Sequence, residues 1–213
     1  MLIKFLKQTW LVMAAALVFG LLVSGIFGQL NPRIRQNARE KLEREMKKLL
    51  AAAVAFEPVF NKTDPKGEQV LYYVGKNAQG SVVGYAMESE GSGFADKIKL
   101  LVTFEADLEH LLGYAVLKSN ETPGFGDKIK DSGKEGQISF KDQFVGCPID
   151  KKLEVEKTGD INIPDEKIIA ITGATVSSEA VTKVINDSVK RIKERLKSQT
   201  PETQNIPQDK NGR

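Results

Sequence analysis

The chain has 213 residues, of which 41% are hydrophobic and 28% charged. This composition excludes a wholly disordered chain and a polytopic membrane protein. The length allows one domain with one short appendage. Lys and Arg exceed Asp and Glu by only three charges, so we expect no nucleic-acid partner. The single Cys147 and the single His110 exclude a disulfide scaffold and a multi-histidine metal site, and we expect no metal.

An apolar segment near the N-terminus predicts a membrane anchor. Residues 9–30 contain no charged side chain. As a helix these 22 residues span about 33 Å, which matches a hydrocarbon core of about 30 Å. The alternative is a cleaved signal peptide, but its apolar core is usually about 7–15 residues long. We therefore predict an N-terminal tail over residues 1–8 and a single-pass transmembrane helix over residues 9–30.

The charges that follow bear on orientation. Residues 33–48 hold seven basic and three acidic side chains, and the positive-inside rule places the following domain in the cytoplasm. A large domain can nevertheless be translocated despite nearby charge. From residue 49 onward the chain holds 22 basic and 25 acidic side chains, a balance that does not favour polyanions.

The remaining chain reads as an α+β domain. Apolar residues recur at spacings of three and four after Pro32 and predict an amphipathic stalk helix over residues 31–56. Segments rich in Val, Leu, Ile and Tyr, bounded or divided by turn residues such as Gly91 and Gly113, predict an antiparallel sheet. The predicted strands are 69–75, 81–88, 98–105 and 114–118, with short extended pieces at 152–156 and 167–171 and a helix at 177–197. The domain is predicted over residues 57–198, and a disordered tail over residues 199–213.

The segment before the last helix reads ITGATVSS, from Ile171 to Ser178. A helix N-terminus presents backbone amides without internal acceptors, and its dipole favours a phosphate or a carboxylate. Gly173 permits close approach of the backbone. The pattern is not a Walker A loop, and taken alone it also fits an ordinary helix cap.

A second segment, ETPGFGDKI from Glu121 to Ile129, follows the strand predicted at 114–118. Its glycines and proline enforce a tight path for the chain. Taken alone it fits an ordinary turn, with Phe125 as a core anchor and with Glu121 and Lys128 as surface charges.

The two segments, in this order and after one N-terminal transmembrane span, resemble those of the G subunit of the Rnf electron-transport complex. They resemble more distantly the C subunit of the sodium-pumping NADH:quinone reductase. The similarity includes the stretch GYAMESEGSGFADKIKLLVTFE and the segment from Phe140 to Gly146. The resemblance implies an FMN-binding domain that carries FMN through a phosphoester to Thr175. It also implies a role as an electron carrier within a complex that couples electron transfer between ferredoxin and NAD to movement of Na⁺ or H⁺.

The resemblance extends to location, partners and site residues. It implies a prokaryotic cytoplasmic membrane with the domain outside the cytoplasm, against the charge rule. The implied partners are the other subunits of the complex, membrane lipid and a flavin transferase that uses FAD as donor. The residues implied to hold the cofactor are Thr175, Thr172, Gly173, Ala174, Ser177, Glu121, Thr122, Gly124, Phe125, Gly126 and Lys128.

Two positions depart from the family pattern, which commonly has Leu at position 125 and Thr-Ser at 177–178, where this chain has Phe125 and two serines. Three alternatives remain open: the corresponding protein of the quinone reductase, a stand-alone extracytoplasmic flavoprotein, and a non-redox scaffold domain. Cys147 is interpreted as a buried small residue, because no resolving cysteine is present, and His110 as a surface loop residue.

Overall fold

The computed structural model of the chain describes residues 2–61, 69–133, 136–159 and 165–199, with side chains from residue 9 to residue 198 within these ranges. The chain divides into two compact units, Met1–Arg44 and Glu45–Arg213. Helix α1 extends from Leu2 to Leu49 and contains Pro32. The structure therefore has one continuous helix where the sequence predicts a tail, a span and a stalk; Pro32 removes one backbone donor without ending the helix. Among the described residues, α1 is the helix long and apolar enough to cross a membrane.

The second unit contains a five-stranded antiparallel sheet with its strands in sequential order. The strands are β1 (Ala55–Phe60), β2 (Val70–Lys76), β3 (Val82–Ser92), β4 (Lys97–Glu105) and β5 (Leu111–Lys118). Two short strands, β6 (Glu154–Glu156) and β7 (Lys167–Ile169), pair in parallel, and helix α2 extends from Thr175 to Gln199. The predicted α+β class with an antiparallel sheet is confirmed. Beyond Gln199, the predicted disordered tail lies outside the described residues.

Helix α2 packs on one face of the sheet. Alternate residues of a strand share a face, and Ile98, Leu100 and Val102 of β4 are fully buried on the face that α2 contacts. Gly91 of β3 leaves room for Val184 of α2, because a Cβ at Gly91 would lie 2.4 Å from Val184 Cγ2. Each fully buried aliphatic side chain contributes about 1.5–3 kcal/mol. This packing fixes α2, and with it the position of the first turn of α2.

The opposite face of the sheet contacts the end of α1 that belongs to the second unit. Met46 and Leu50 are buried. A Cβ at Gly84 would lie 2.5 Å from Leu50 Cδ2, and a Cβ at Gly75 would lie 3.2 Å from the Cβ of Ala53. Glycines in β2 and β3 thus admit residues 46–53 closely against the sheet.

Between β5 and β6 the chain forms two 3₁₀ helices, Gly126–Lys130 and Asp142–Phe144, which the sequence did not predict. The ring of Phe144 packs edge-on against Tyr114 at a centroid distance of 5.1 Å. The hydroxyl of Tyr114 donates to the carbonyl of Ile129 at 2.6 Å. These contacts attach the loop after β5 to the core.

The single cysteine and the single histidine have structural partners. Cys147 is buried as predicted, its Sγ donates to the carbonyl oxygen of Gln143 at 2.9 Å, and burial raises its pKa to about 12. The thiol is therefore protonated at neutral pH. His110 is half-exposed, with Nδ1 3.2 Å from Oε2 of Glu105, and its backbone forms an isolated bridge with Pro148.

Candidate functional site

The turn between β7 and α2 presents the first backbone amides of α2. Ala174 N donates to the carbonyl of Ile171 at 2.9 Å, and Ser178 N donates to the carbonyl of Ala174 at 3.0 Å, the first i→i−4 bond of the helix. The amides of residues 175–177 precede that bond and lack acceptors within the helix, at the positive end of its dipole. Gly173 has φ of +79°, a backbone conformation that favours glycine.

Four hydroxyl residues lie in this turn, and their surroundings differ. Ser178 is buried, and its Oγ donates to the carbonyl of Ala174 at 3.0 Å and accepts from the amide of Ile171 at 3.0 Å. Ser177 is buried, and its Oγ donates to Oε2 of Glu121. Thr172 is exposed, whereas Thr175 is half-buried. The two serine hydroxyls are thus held by protein partners, and the two threonines are the accessible hydroxyl residues.

The second sequence motif forms a tight turn beside α2. Gly124 has φ of +80°, and its amide donates to Oδ1 of Asp127 at 2.7 Å. Desolvation raises the pKa of Asp127, but hydrogen bonds from Lys130 and Gly124 outweigh it and hold that pKa below its ordinary value. The turn presents Phe125 toward Gly173, where a Cβ would lie 3.2 Å from Phe125 Cδ1.

The two turns and the loop between β3 and β4 enclose a cleft of about 460 Å³. Three of its apolar side chains are unusually exposed: Phe94 at 69%, Phe125 at 54% and Val176 at 52%. Exposed apolar groups gathered in one concave place are typical of a binding site. The lining residues are Phe94, Thr122, Phe125, Gly126, Gly173, Ala174, Thr175, Val176 and Ser177.

Most of the residues that the sequence analysis proposes for the cofactor lie in this cleft. The structure brings together Thr122, Phe125, Gly126, Gly173, Ala174, Thr175 and Ser177 as lining residues; Glu121, Gly124, Lys128 and Thr172 are not among them. Sequence reasoning did not assign Phe94 or Val176 to the cofactor site. The signals that could have indicated them are a phenylalanine directly after a Gly-Ser-Gly sequence and the one apolar residue in the first turn of α2.

The comparisons with known proteins identify the class of this domain. The FMN-binding domain family matches residues 93–190, a range that contains every lining residue of the cleft. The chain is 34% identical over 152 residues to the G subunit of the ion-translocating oxidoreductase complex of Methanosarcina acetivorans, a match that covers 70% of this chain and 74% of that protein. The chain belongs to the family of these G subunits, as its motifs indicated.

A second relative agrees with this assignment. The chain is 39% identical over 126 residues to the G subunit of the Na⁺-translocating ferredoxin:NAD⁺ oxidoreductase complex of Acetobacterium woodii, covering 58% of this chain and 56% of that protein. Among solved structures, it is similar to the C subunit of the Na⁺-translocating NADH-quinone reductase of Parabacteroides distasonis, with 24% identity and a TM-score of 0.49 over 60% of this chain and 63% of that one.

Proposed function

We propose that this chain is a membrane-anchored flavoprotein subunit that relays electrons through FMN joined to Thr175 by a phosphoester, within an Rnf-type ion-translocating complex. One observation carries the proposal: the cleft places an accessible threonine and the free amides of α2 beside two exposed phenylalanine rings. FMN combines a phosphate with a large planar ring, so both parts of the cleft match it.

The described residues fit FMN in distinct roles. The amides of Val176 and Ser177 at the start of α2 would hold the phosphate, and the left-handed backbone at Gly173 brings the chain close to it. The exposed rings of Phe94 and Phe125 would cover the apolar ring system. When bound, FMN supplies the redox chemistry. The chain holds it, shields it and sets its electrostatic surroundings.

Attachment of FMN is a group transfer without a change in oxidation state. Oγ1 of Thr175 forms a bond to the flavin-side phosphorus of FAD. The phosphoanhydride bond to the adenylate breaks, AMP leaves, and the hydroxyl proton passes to a base of the flavin transferase. The buried partners of Ser177 and Ser178 support Thr175 as acceptor, because a transferase must reach the hydroxyl that it modifies.

The intact mass of the chain, measured after co-expression with a flavin transferase, tests this proposal. The native chain is expected to gain one FMN less one water, and the Thr175→Ala variant is expected to gain nothing. Thr158→Ala is the matched control, because Thr158 is an exposed threonine outside the cleft and should leave the modification unchanged. Absence of the mass gain in the native chain would return this turn to the role of a helix cap.

The setting of the flavin is the second part of the proposal. Two relatives are named as G subunits of ferredoxin:NAD⁺ oxidoreductase complexes, one Na⁺-translocating and the other proton-translocating. These names support the proposal that partner subunits of this chain bind ferredoxin and NAD and move the ion. The apolar part of α1 would anchor the chain in the membrane, with the flavin domain outside the cytoplasm. A reporter that functions only in the cytoplasm, fused after Arg213, should therefore be inactive. Activity of that reporter would contradict this orientation.

A further inference from the structure

Glu121 is a buried carboxylate directly behind the cleft. Its residue is 5% exposed, and its side chain is not among the lining residues. Within the described part of the chain, no ion pair involves Glu121. A buried carboxylate without a cation is costly unless hydrogen bonds satisfy its oxygens.

The two oxygens of Glu121 accept hydrogen bonds from two different segments. Oε1 accepts from the amide of Ala95 at 3.1 Å, and Oε2 accepts from the hydroxyl of Ser177. Ala95 lies in the loop that carries Phe94, and Ser177 lies in the first turn of α2 beside Val176. With its own turn, which carries Phe125, the side chain joins the three segments that form the cleft.

Two glycines make room for this carboxylate. A Cβ at Gly93 would lie 2.3 Å from Oε1 of Glu121, and a Cβ at Gly126 would lie 2.8 Å from Oε2 and 2.6 Å from Oγ of Ser177. Real Cβ atoms do not approach oxygen atoms this closely, so either added methyl group would displace the carboxylate. The backbone is thus shaped around Glu121 from two sides.

We infer that Glu121 is a positioning residue that fixes the loop of Phe94, the turn of Phe125 and the first turn of α2 relative to one another, and so holds the flavin between them. This inference rests on the proposed function for the flavin, but the ordering of the three segments belongs to the chain itself. In this role Glu121 acts through the segments that it joins rather than as a lining residue of the cleft, whereas the family resemblance implies that it holds the cofactor directly.

The test compares Glu121→Ala, Glu121→Gln and Ser177→Ala in the full-length flavin-loaded chain in detergent, with the flavin load of each variant measured by mass. The readout is quenching of the flavin fluorescence by acrylamide, a neutral collisional quencher. Loss of one hydrogen bond weakens the closed arrangement about fivefold, so Glu121→Ala and Ser177→Ala are expected to raise the quenching constant. Glu121→Gln should restore the native value, because its amide oxygen can accept from Ala95 and its N–H can donate to Ser177.

Glu179→Ala is the matched control, since Glu179 is an exposed glutamate in the first turns of α2 and should behave as the native chain. Equal quenching in the native chain, Glu121→Ala and Ser177→Ala would overturn the inference. Amide hydrogen exchange in the flavin-free chain separates it from the proposed function, and the readout is the set of hydrogen-bonded amides of the three segments: Gly93, Ala95, Gly124, Phe125, Ala174 and Ser178. Exchange about fivefold faster in Ser177→Ala supports the positioning role even if Thr175 carries no flavin, and unchanged exchange contradicts it.

Discussion

Phe94 and Phe125 contrast with the phenylalanines of the core. Phe104 and Phe144 are fully buried, whereas Phe94 and Phe125 leave more than half of their surface exposed beside the same cleft. An exposed aromatic side chain contributes little to folding, because little of its apolar surface is removed from water. The FMN proposed for this cleft would cover both rings and so explain their placement.

Phe125→Ser is therefore expected to change the flavin more than the fold. Replacing an apolar wall by a hydroxyl and water favours the more negatively charged reduced flavin. We expect the midpoint potential to rise by about 30 mV, equivalent to about 1.4 kcal/mol for two electrons, as measured by spectroelectrochemical titration. Phe60→Ser is the matched control, because Phe60 is 45% exposed on the edge strand β1. An equal shift in both variants would contradict a specific role for Phe125.

The features of the site that sequence reasoning missed, namely the buried contacts of Glu121 and the part of Phe94 in the cleft, depend on contacts between distant segments. Glu121 meets Ala95 across 26 residues and Ser177 across 56 residues of sequence, so its pattern alone fits a surface charge. Phe94 likewise becomes part of a cleft only when the β3–β4 loop meets α2. The place of Gly173 and Thr175 at the start of the last helix was predictable, because a helix N-terminus and its glycine are local features. The role of Thr175 as flavin acceptor was implied only by the family resemblance and is a proposal.

At the scale of elements, the loop before the second 3₁₀ helix is organised by Asp142. Its Oδ2 accepts from the amide of Gly133 at 2.7 Å and from the amide and the hydroxyl of Ser139 at 2.9 Å and 2.7 Å. Desolvation raises the pKa of Asp142, but these hydrogen bonds and the charge of Lys141 hold it below the ordinary value. The ionised carboxylate thus stabilises the loop that packs beside Tyr114.

Asp142→Asn is expected to lower the free energy of unfolding at pH 7 by about 1–2 kcal/mol, because hydrogen bonds to a charged acceptor are weakened. A carboxyl whose pKa is lowered on folding stabilises above its unfolded pKa of about 3.9, and that stability is lost as the pH falls through the folded pKa. The difference between variant and native chain should therefore shrink below about pH 4 in urea unfolding. Asp131→Asn is the control, because Asp131 is an exposed aspartate of the same loop, and it should change the free energy of unfolding at pH 7 by less than about 0.5 kcal/mol. For Asp142→Asn, a difference that persists undiminished at low pH would rule out the ionic explanation.

The sequence located most elements but not the features that tertiary packing imposes. β2 to β5 begin within about three residues of the predicted strands, because enrichment in Val, Leu, Ile and Tyr between turn residues is a local signal. β1 was missed, since Pro58 and Glu57 interrupt its apolar pattern. Gly91 and Gly113 lie inside β3 and β5 rather than bounding or dividing strands: Gly91 faces Val184, and Gly113, with φ of +126°, lies at a register shift.

At the scale of the whole molecule, the boundary of the folding unit falls inside α1. The second unit begins at Glu45, and it includes Met46 and Leu50, whose residues are each 2% exposed. The cleft lies entirely within this unit. The last turn of α1 is therefore part of the flavin domain, although the sequence assigns it to a stalk.

Two truncations separate the anchor from the domain core. A chain that begins at Glu45 should be soluble without detergent, fold cooperatively and keep the Thr175 site, because the apolar segment is removed and the buried residues remain. A chain that begins at Ala51 also loses Met46 and Leu50, and the loss of each such buried side chain costs about 2–5 kcal/mol. Its urea midpoint should fall steeply or its fold should be lost, as circular dichroism measures. Equal midpoints for the two fragments would show that the end of α1 is an appendage, whereas a large difference identifies it as the element that closes the sheet face opposite α2.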